Sequence, residues 1–460
     1  MMMFFGLFKV ATVWLPVCAV CLRLLPLYGP GRVPFCLGLS GIASMLVTGM
    51  VMWASLVWTG QINHWWPSII IGSAALLVWW RTLPSVTTPT RASMTPPAGR
   101  LSQAITVILL ALIGVRFATL LPDVALRPLL GWDAAVVWAY EARVWFEAGR
   151  YVEFLPPQDW MAPASEGWVR LTATEYPRTI PALILWFSMV DATWSGVGPG
   201  LVWWLGAVCT TALLFGALRA VGLSMPWALA GAYVWSSLPM VAAHVALYGY
   251  ADLWLAYAFA SFVACSLLAS AHRHWIWWAL AVLSLAVMPL IKVEGLYWLA
   301  VGLVSIALGR WGIGMRGLVV CASIAAFGVW LAATMGWDVF HSMSQGRLSL
   351  SPEDWNDALR NGVNHAFVWY DWHLLFYAAF ALIAIATVFP TLMQPHLSLA
   401  ATAVLGLLIV WALLPITQAS VWFTQSTLFS RIALHVSPVL SLFVVIALHR
   451  LFETRDARVD

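Results

Sequence analysis

Charge is what this chain has least of. Lys, Arg, Asp and Glu make up 9% of its 460 residues, whereas 62% are hydrophobic. No soluble core needs that much apolar surface, so the composition excludes a soluble globular enzyme and points to a multi-pass membrane protein. Cysteine is also sparse. The six thiols (Cys18, Cys21, Cys36, Cys209, Cys265 and Cys321) sit in apolar runs without metal-ligand spacing, which implies neither a disulfide framework nor a redox centre. No nucleotide-binding glycine motif and no internal repeat is evident, and no nucleic-acid partner is expected. The first apolar run lacks a small-residue cleavage site and reads as a retained helix.

What the chain does have is a succession of apolar runs. They predict an all-α polytopic integral membrane protein with about thirteen transmembrane helices, near 5–25, 35–58, 65–81, 104–121, 200–218, 223–244, 251–270, 275–290, 294–309, 317–334, 372–390, 398–416 and 432–448. The Pro, Thr and Ser-rich stretch 82–103 reads as a cytoplasmic linker. It divides the N-terminal helices of 1–81 from a larger membrane module over 104–448, and a short polar tail, 449–460, follows.

The loops set an orientation. Connections carrying Arg91, Arg100, Arg219, Arg273, Arg310 and Arg316 are basic and contain no acid, which is the cytoplasmic pattern. The loops 122–178 and 335–371 hold 13 of the 19 acidic residues and fall on the opposite, external side. These sides agree only if the apolar stretch 180–196 does not cross the membrane. Its prolines, Asp191 and glycines fit an external interfacial or re-entrant helix, and a full span with another helix miscounted is the plainer alternative.

Loop 122–178 opens with GWDAAVVWAYEARVWFEAGR. Asp133 sits where it would cap a helix by accepting backbone N–H bonds. Trp132, Trp138 and Trp145 suit a membrane interface, and Glu141 and Arg143 fit ordinary surface groups. The loop closes with TATEYPRTIP, in which Glu175 precedes Tyr176 and Arg178 is a candidate anion partner. Two carboxylates bracket this loop: Asp133 as general base and Glu175 as orienting group would suit catalysis, and solvated loop acids are the plain alternative.

Four charges lie in or beside apolar helices: Asp252, Lys292, Glu294 and Arg431. An unpaired charge there is expensive, so each needs a partner, water or a ligand. Lys292 as a point charge and Arg431 as a planar fork suit a lipid phosphate or pyrophosphate. A structural ion pair from Lys292 to Glu294 or to Asp252 explains them equally well. Arg143, Arg178 and Tyr176, with Asp252 and Glu294, complete the set of donor-binding candidates. His341, His365 and His373 are too scattered for a metal claim and read as surface loop histidines. Helical character is expected from Pro352 to Phe367 with Ser351 as its cap, and Trp355, Trp369, Tyr370 and Trp372 suit either stacking on a sugar or an interfacial belt.

In order and sidedness these features resemble the GT-C superfamily of polytopic membrane glycosyltransferases, most closely the bacterial branch related to aminoarabinose and protein O-mannosyl transferases. The resemblance covers roughly 104–448. Asp133 of GWDA matches the acid after the first helix, and EYPRTIPALILWF from Glu175 matches a juxtamembrane helix. Tyr250 and Asp252 approximate a later tip, Lys292 to Gly295 a lysine–glycine motif, and Arg431 to Pro438 a late arginine helix. The chain departs from that pattern in the three helices ahead of the module and in Val293 and Glu294, which separate Lys292 from its glycine.

The resemblance implies a GT-C-like fold with external juxtamembrane helices. It implies an enzyme of the bacterial inner membrane, with a periplasmic active site, that moves a sugar from a polyprenyl-phosphate donor to a glycolipid or cell-envelope glycan acceptor with inversion. A divalent cation is optional, because polyprenyl phosphate is already a reasonable leaving group. A lipid-linked glycan polymerase or ligase would use the same groups. A flippase or transporter for a polyprenyl-linked sugar is a different class, and it would place its polar groups near the bilayer midplane on repeated halves.

Overall fold

The computed structural model describes residues 2–82, 99–155, 157–161, 167–169, 176–190, 193–311, 357, 360–393, 396–416 and 428–456. Apart from two pairs of two-residue strands, the regular structure described is helical. The helices are α1 (Met2–Leu24), α2 (Arg32–Thr59), α3 (Trp66–Arg81), α4 (Arg100–Leu126), α5 (Ala139–Ala148), α6 (Thr179–Ser188), α7 (Val197–Ala220) and α8 (Met225–Ser236). They continue with α9 (Pro239–Ala246), α10 (Ala251–His272), α11 (Trp275–Ile291), α12 (Gly295–Trp311), α13 (Leu375–Val388), α14 (Leu397–Ile416) and α15 (Leu428–Asp456).

Six of these helices are long and apolar enough to cross a membrane, seven if α8 and α9 together make one broken span. The expected run at 317–334 lies outside the described residues, as does most of loop 335–371. The other apolar helices, α6, α11, α12, α13 and the Leu397–Trp411 part of α14, are shorter than these. The chain is therefore a multi-pass, largely α-helical membrane protein.

Helix α10 is the centre of the bundle. Every residue from Ala251 to Ala269 is buried, and α7, α11 and α15 pack around it. By contrast α4, equally apolar, buries only Phe117, Leu120 and Val124. A helix apolar on all sides with most of its surface open suits contact with lipid.

The expected span 223–244 is broken. α8 and α9 meet at 57° around Ser237 and Leu238. Pro239 lacks an N–H and opens the second piece, which frees carbonyls that a membrane interior cannot hydrate. His373 Nε2 reaches the Ser237 carbonyl at 3.1 Å, and Arg116 donates to the carbonyls of Ser237 and Leu238 at 3.4 and 3.5 Å.

The stretch 180–196 forms the ten-residue α6 followed by a tight antiparallel strand pair, Met189–Val190 with Thr193–Trp194. Ten helical residues extend about 15 Å, half of a hydrocarbon layer of about 30 Å, so α6 does not span one. It is not a surface-lying helix either, because all ten of its residues are buried. The interfacial reading is thereby corrected: the helix is enclosed by protein, with no face left for the membrane surface. α2 packs along it. Lys9 of α1, itself buried, donates to the carbonyls of Trp186 and Met189 at 2.6 Å each, at the end of α6 where helix carbonyls lack partners. The N-terminal helices also pack on α7, so 1–81 belongs to the same packed body.

Candidate functional site

Five charged side chains from four parts of the chain meet at one end of the bundle. Asp252, the second residue of α10, is their hub. Its Oδ1 accepts from Lys292 Nζ at 2.8 Å and from His435 Nε2 at 3.1 Å. Its Oδ2 accepts from Arg431 Nε at 3.1 Å and Nη2 at 2.9 Å. Arg431 Nη1 also donates to Asp133 Oδ2 at 2.5 Å, and Lys292 Nζ lies 2.7 Å from Glu294 Oε1. The two alternative pairs expected for Lys292 thus exist together, sharing one ammonium.

Local structure explains how these groups converge. Asp133 precedes a wide π-helical turn, Ala134–Trp138, a rare form that is frequent at functional sites. It makes no side-chain cap bond, so the expected cap is corrected: the carboxylate is turned to Arg431. Two glycines permit the approach. A Cβ on Gly131 would lie 2.4 Å from the Tyr250 ring, and Gly249, at φ +103°, lies where a Cβ would be 2.8 Å from that of Ala134. The tip is then fixed by Trp203, which donates to the Tyr250 carbonyl at 2.9 Å, and by Tyr248, which donates to the Arg127 carbonyl at 3.0 Å.

Lys292 sits in extended backbone at the tip of the α11–α12 hairpin. Gly295 faces the Met288 carbonyl so closely that a Cβ would come within 2.2 Å, which gives the lysine–glycine spacing a packing reason. Arg431 is in the first turn of α15, and His435 follows one turn later on the same face. The His435 tautomer follows from its neighbours. Trp298 Nε1 donates to Nδ1 at 3.0 Å, so Nε2 carries the proton and donates to Asp252.

Exposure divides the cluster into two layers. The side chains of Asp252 and Lys292 are 0% and 2% exposed, whereas Asp133 and Glu294 keep 26% and 19%. With His435 neutral, three carboxylates face two cations. Among the described residues Lys292 uses two of its three N–H donors on carboxylates and Arg431 three of its five, leaving one and two donors respectively.

Tyr176 roofs one side. Its ring stacks on Trp138 with centroids 5.0 Å apart, Lys292 Nζ lies 5.6 Å from its centroid, and its hydroxyl reaches Glu294 Oε1 at 3.5 Å. Burial pushes this phenol up to about 12 against the pull of Lys292, so it stays protonated and can donate. Arg431 lies 5.5 Å from the Tyr250 ring centroid.

Asp133, Tyr176, Asp252, Lys292, Glu294 and Arg431 therefore come together. Glu175 lies outside the described residues. Two expected donor-binding residues do not join the cluster. Arg143 is half exposed, pairs with Glu147 one turn on and lies 5.1 Å from the Trp194 ring centroid, which leaves it on the outer face of α5. Arg178 turns to Glu141 at 3.6 Å and lies 5.9 Å from the Trp53 ring centroid. Glu141 is fully buried, which corrects its reading as a surface group.

His435 was missed, although a histidine four residues after an arginine in an apolar helix is a readable signal. His365, expected on the surface, is buried and pairs with Asp371, while His341 lies outside the described residues. Trp372 is fully buried and unavailable for stacking, and Ser351, Pro352 and Trp355 lie outside the described residues. Helical backbone is described from Arg360 to Val368, ending in a π-helical turn. Among the described residues no three His, Cys, Asp or Glu side chains are grouped to hold a metal ion. Comparisons with protein-family models, curated proteins and solved structures find no match.

Proposed function

We propose that this chain is a GT-C-like membrane glycosyltransferase that moves a sugar from a polyprenyl-phosphate donor to a lipid-linked or cell-envelope glycan acceptor. The observation that carries this reading is the shared grip of Arg431. One guanidinium holds the buried Asp252 and the partly exposed Asp133 at once, beside a lysine held in the same way.

The chemistry follows from the two layers. Asp252 fixes the cations from below, so their position does not depend on the exposed acids. When a donor enters, its phosphate oxygens replace Asp133 and Glu294 on Arg431 and Lys292, and also take up the donors left unused. This offsets the charge that develops on the leaving phosphate. The displaced Asp133 carboxylate is then available to accept the proton of an acceptor hydroxyl. The acceptor oxygen bonds to the anomeric carbon from the face opposite the departing phosphate, giving inversion.

The side of the membrane supports the same reading. The cluster lies where α10 and α15 begin, and Arg273 and Arg450 lie at their other ends. With the basic ends cytoplasmic, the site faces the periplasm of a bacterial inner membrane.

A transporter for the same lipid-linked sugar is the second reading, favoured by one observation. The α8–α9 break resembles the broken helices that form transporter sites. The purified chain in nanodiscs, given a panel of polyprenyl-phosphate monosaccharides and a membrane glycolipid extract, separates the two. Transfer is expected to release free polyprenyl phosphate together with a glycosylated acceptor. Movement of intact donor across vesicles without such release would replace the enzyme by the transporter.

A further inference from the structure

Beside the ion cluster lies a second polar centre that the proposed chemistry does not use. Its members are His365 in the π-helical turn Asn364–Val368, Asp371 just after it, and Ser430, the residue before Arg431. His365 Nδ1 lies 2.6 Å from Asp371 Oδ2, and Ser430 Oγ is 2.9 Å from that nitrogen and 3.0 Å from the same carboxylate oxygen. The carboxylate therefore holds the proton on Nδ1. In the neutral ring this leaves Nε2 with a lone pair. That atom is buried and has no hydrogen-bond partner among the described residues, in a side chain more than nine-tenths buried. An acceptor of this kind lacks only a donor.

The backbone here is held in costly shape. Tyr370 and His373 adopt φ of 60° and 50°, the left-handed region that non-glycine residues seldom enter. Strain of this kind persists only where surrounding bonds enforce it, and it gathers at functional sites. The bonds are present. Trp369 N–H donates to the Asn364 carbonyl at 2.8 Å, Tyr377 Oη donates to the Phe367 carbonyl at 2.7 Å, and His373 is tied to Ser237. The strained turn presents Trp369 and Tyr370, which are 45% and 79% exposed, while the Trp369 ring packs edge-on to His365 with centroids 4.3 Å apart.

We propose that this turn is a sugar-binding subsite. Trp369 and Tyr370 stack on the apolar face of a pyranose ring, and His365 Nε2 and the Asp371 carboxylate accept hydrogen bonds from its hydroxyls. Flat rings beside a buried histidine and a partly exposed carboxylate match the two surfaces of a sugar, one of C–H groups and one of hydroxyls. A lipid tail would leave the histidine unanswered. That the sugar belongs to the acceptor rests on the transferase reading above. The binding itself does not.

Saturation-transfer NMR on the full chain in nanodiscs tests this, with methyl glycosides of glucose, galactose, mannose and N-acetylglucosamine as probes. At least one glycoside is expected to be saturated by the wild type. Its signal should fall at least threefold in Trp369→Ala and in His365→Gln, and stay unchanged in Trp58→Ala, a ring 91% exposed on α2. Trp369 is exposed, so its variant keeps the test valid if the buried His365→Gln fails to fold. Loss of one hydrogen bond or stack corresponds to a rise of about five- to tenfold in acceptor KM, with kcat little changed.

No saturation in the wild type, equal saturation in both subsite variants, or an equal drop in Trp58→Ala would overturn the subsite, the last by making the rings an interfacial belt. Glycoside contact without any sugar transfer would remove the transferase reading and leave the subsite standing.

Discussion

At the scale of single residues, Asp252 decides the site. It is the shared anion of two buried or half-buried cations and accepts from a neutral histidine as well. Removing one partner of a buried pair leaves charge without compensation, at a cost of roughly 3–5 kcal/mol. Asp252→Asn is therefore expected to lower thermal stability in detergent severely. Glu294→Gln, at a partly exposed carboxylate, should lower it only slightly. Equal shifts, or a larger one for Glu294→Gln, would show that Lys292 is held from above and not from below. The residues of this cluster were largely legible in the sequence because a charge in an apolar run stands out. Their partners were not. Nothing in the spacing of Asp133 and Arg431, which are 298 positions apart, says that one guanidinium joins them. Arg143 and Arg178 also stand among the donor-binding candidates of the sequence, but local neighbours, Glu147 and Glu141, take their charge.

Elements tell a different story, because apolar periodicity locates a helix but not its depth or its breaks. The short α6 was read from prolines and charge as non-crossing, and its ten residues agree. Its burial was hidden, since burial depends on α2 and on Lys9 from far along the chain. The α8–α9 bend was equally hidden: Pro239 opens a helix without dictating a 57° angle, which the packing partners of Ser237 and Leu238 decide. Lys9 offers a test of α6. Lys9→Met keeps the apolar stem and removes two charge-assisted hydrogen bonds, each worth about 1.5–3 kcal/mol. Amide exchange across residues 185–195 should speed up, and sugar transfer should fall, because α6 follows directly on Tyr176 and Arg178. Unchanged exchange would mean that the apolar enclosure alone holds α6.

For the whole molecule, a central buried helix and a lipid-exposed α4 are the physical reason that one composition yields two kinds of apolar surface. The order of charged residues at helix starts, with basic residues at the opposite ends, gathers the polar chemistry at one end of the bundle. The most direct measurement is sugar transfer from polyprenyl-phosphate donors by the wild type and by Asp133→Asn, each shown by its melting profile to be folded in nanodiscs. Asparagine keeps the shape next to Arg431 but cannot accept the proton, so a loss of about 100- to 10,000-fold in rate is predicted with donor binding retained. Equal rates for the two proteins would contradict the account, because the carboxylate that Arg431 holds at the mouth of the cluster would then have no part in the reaction.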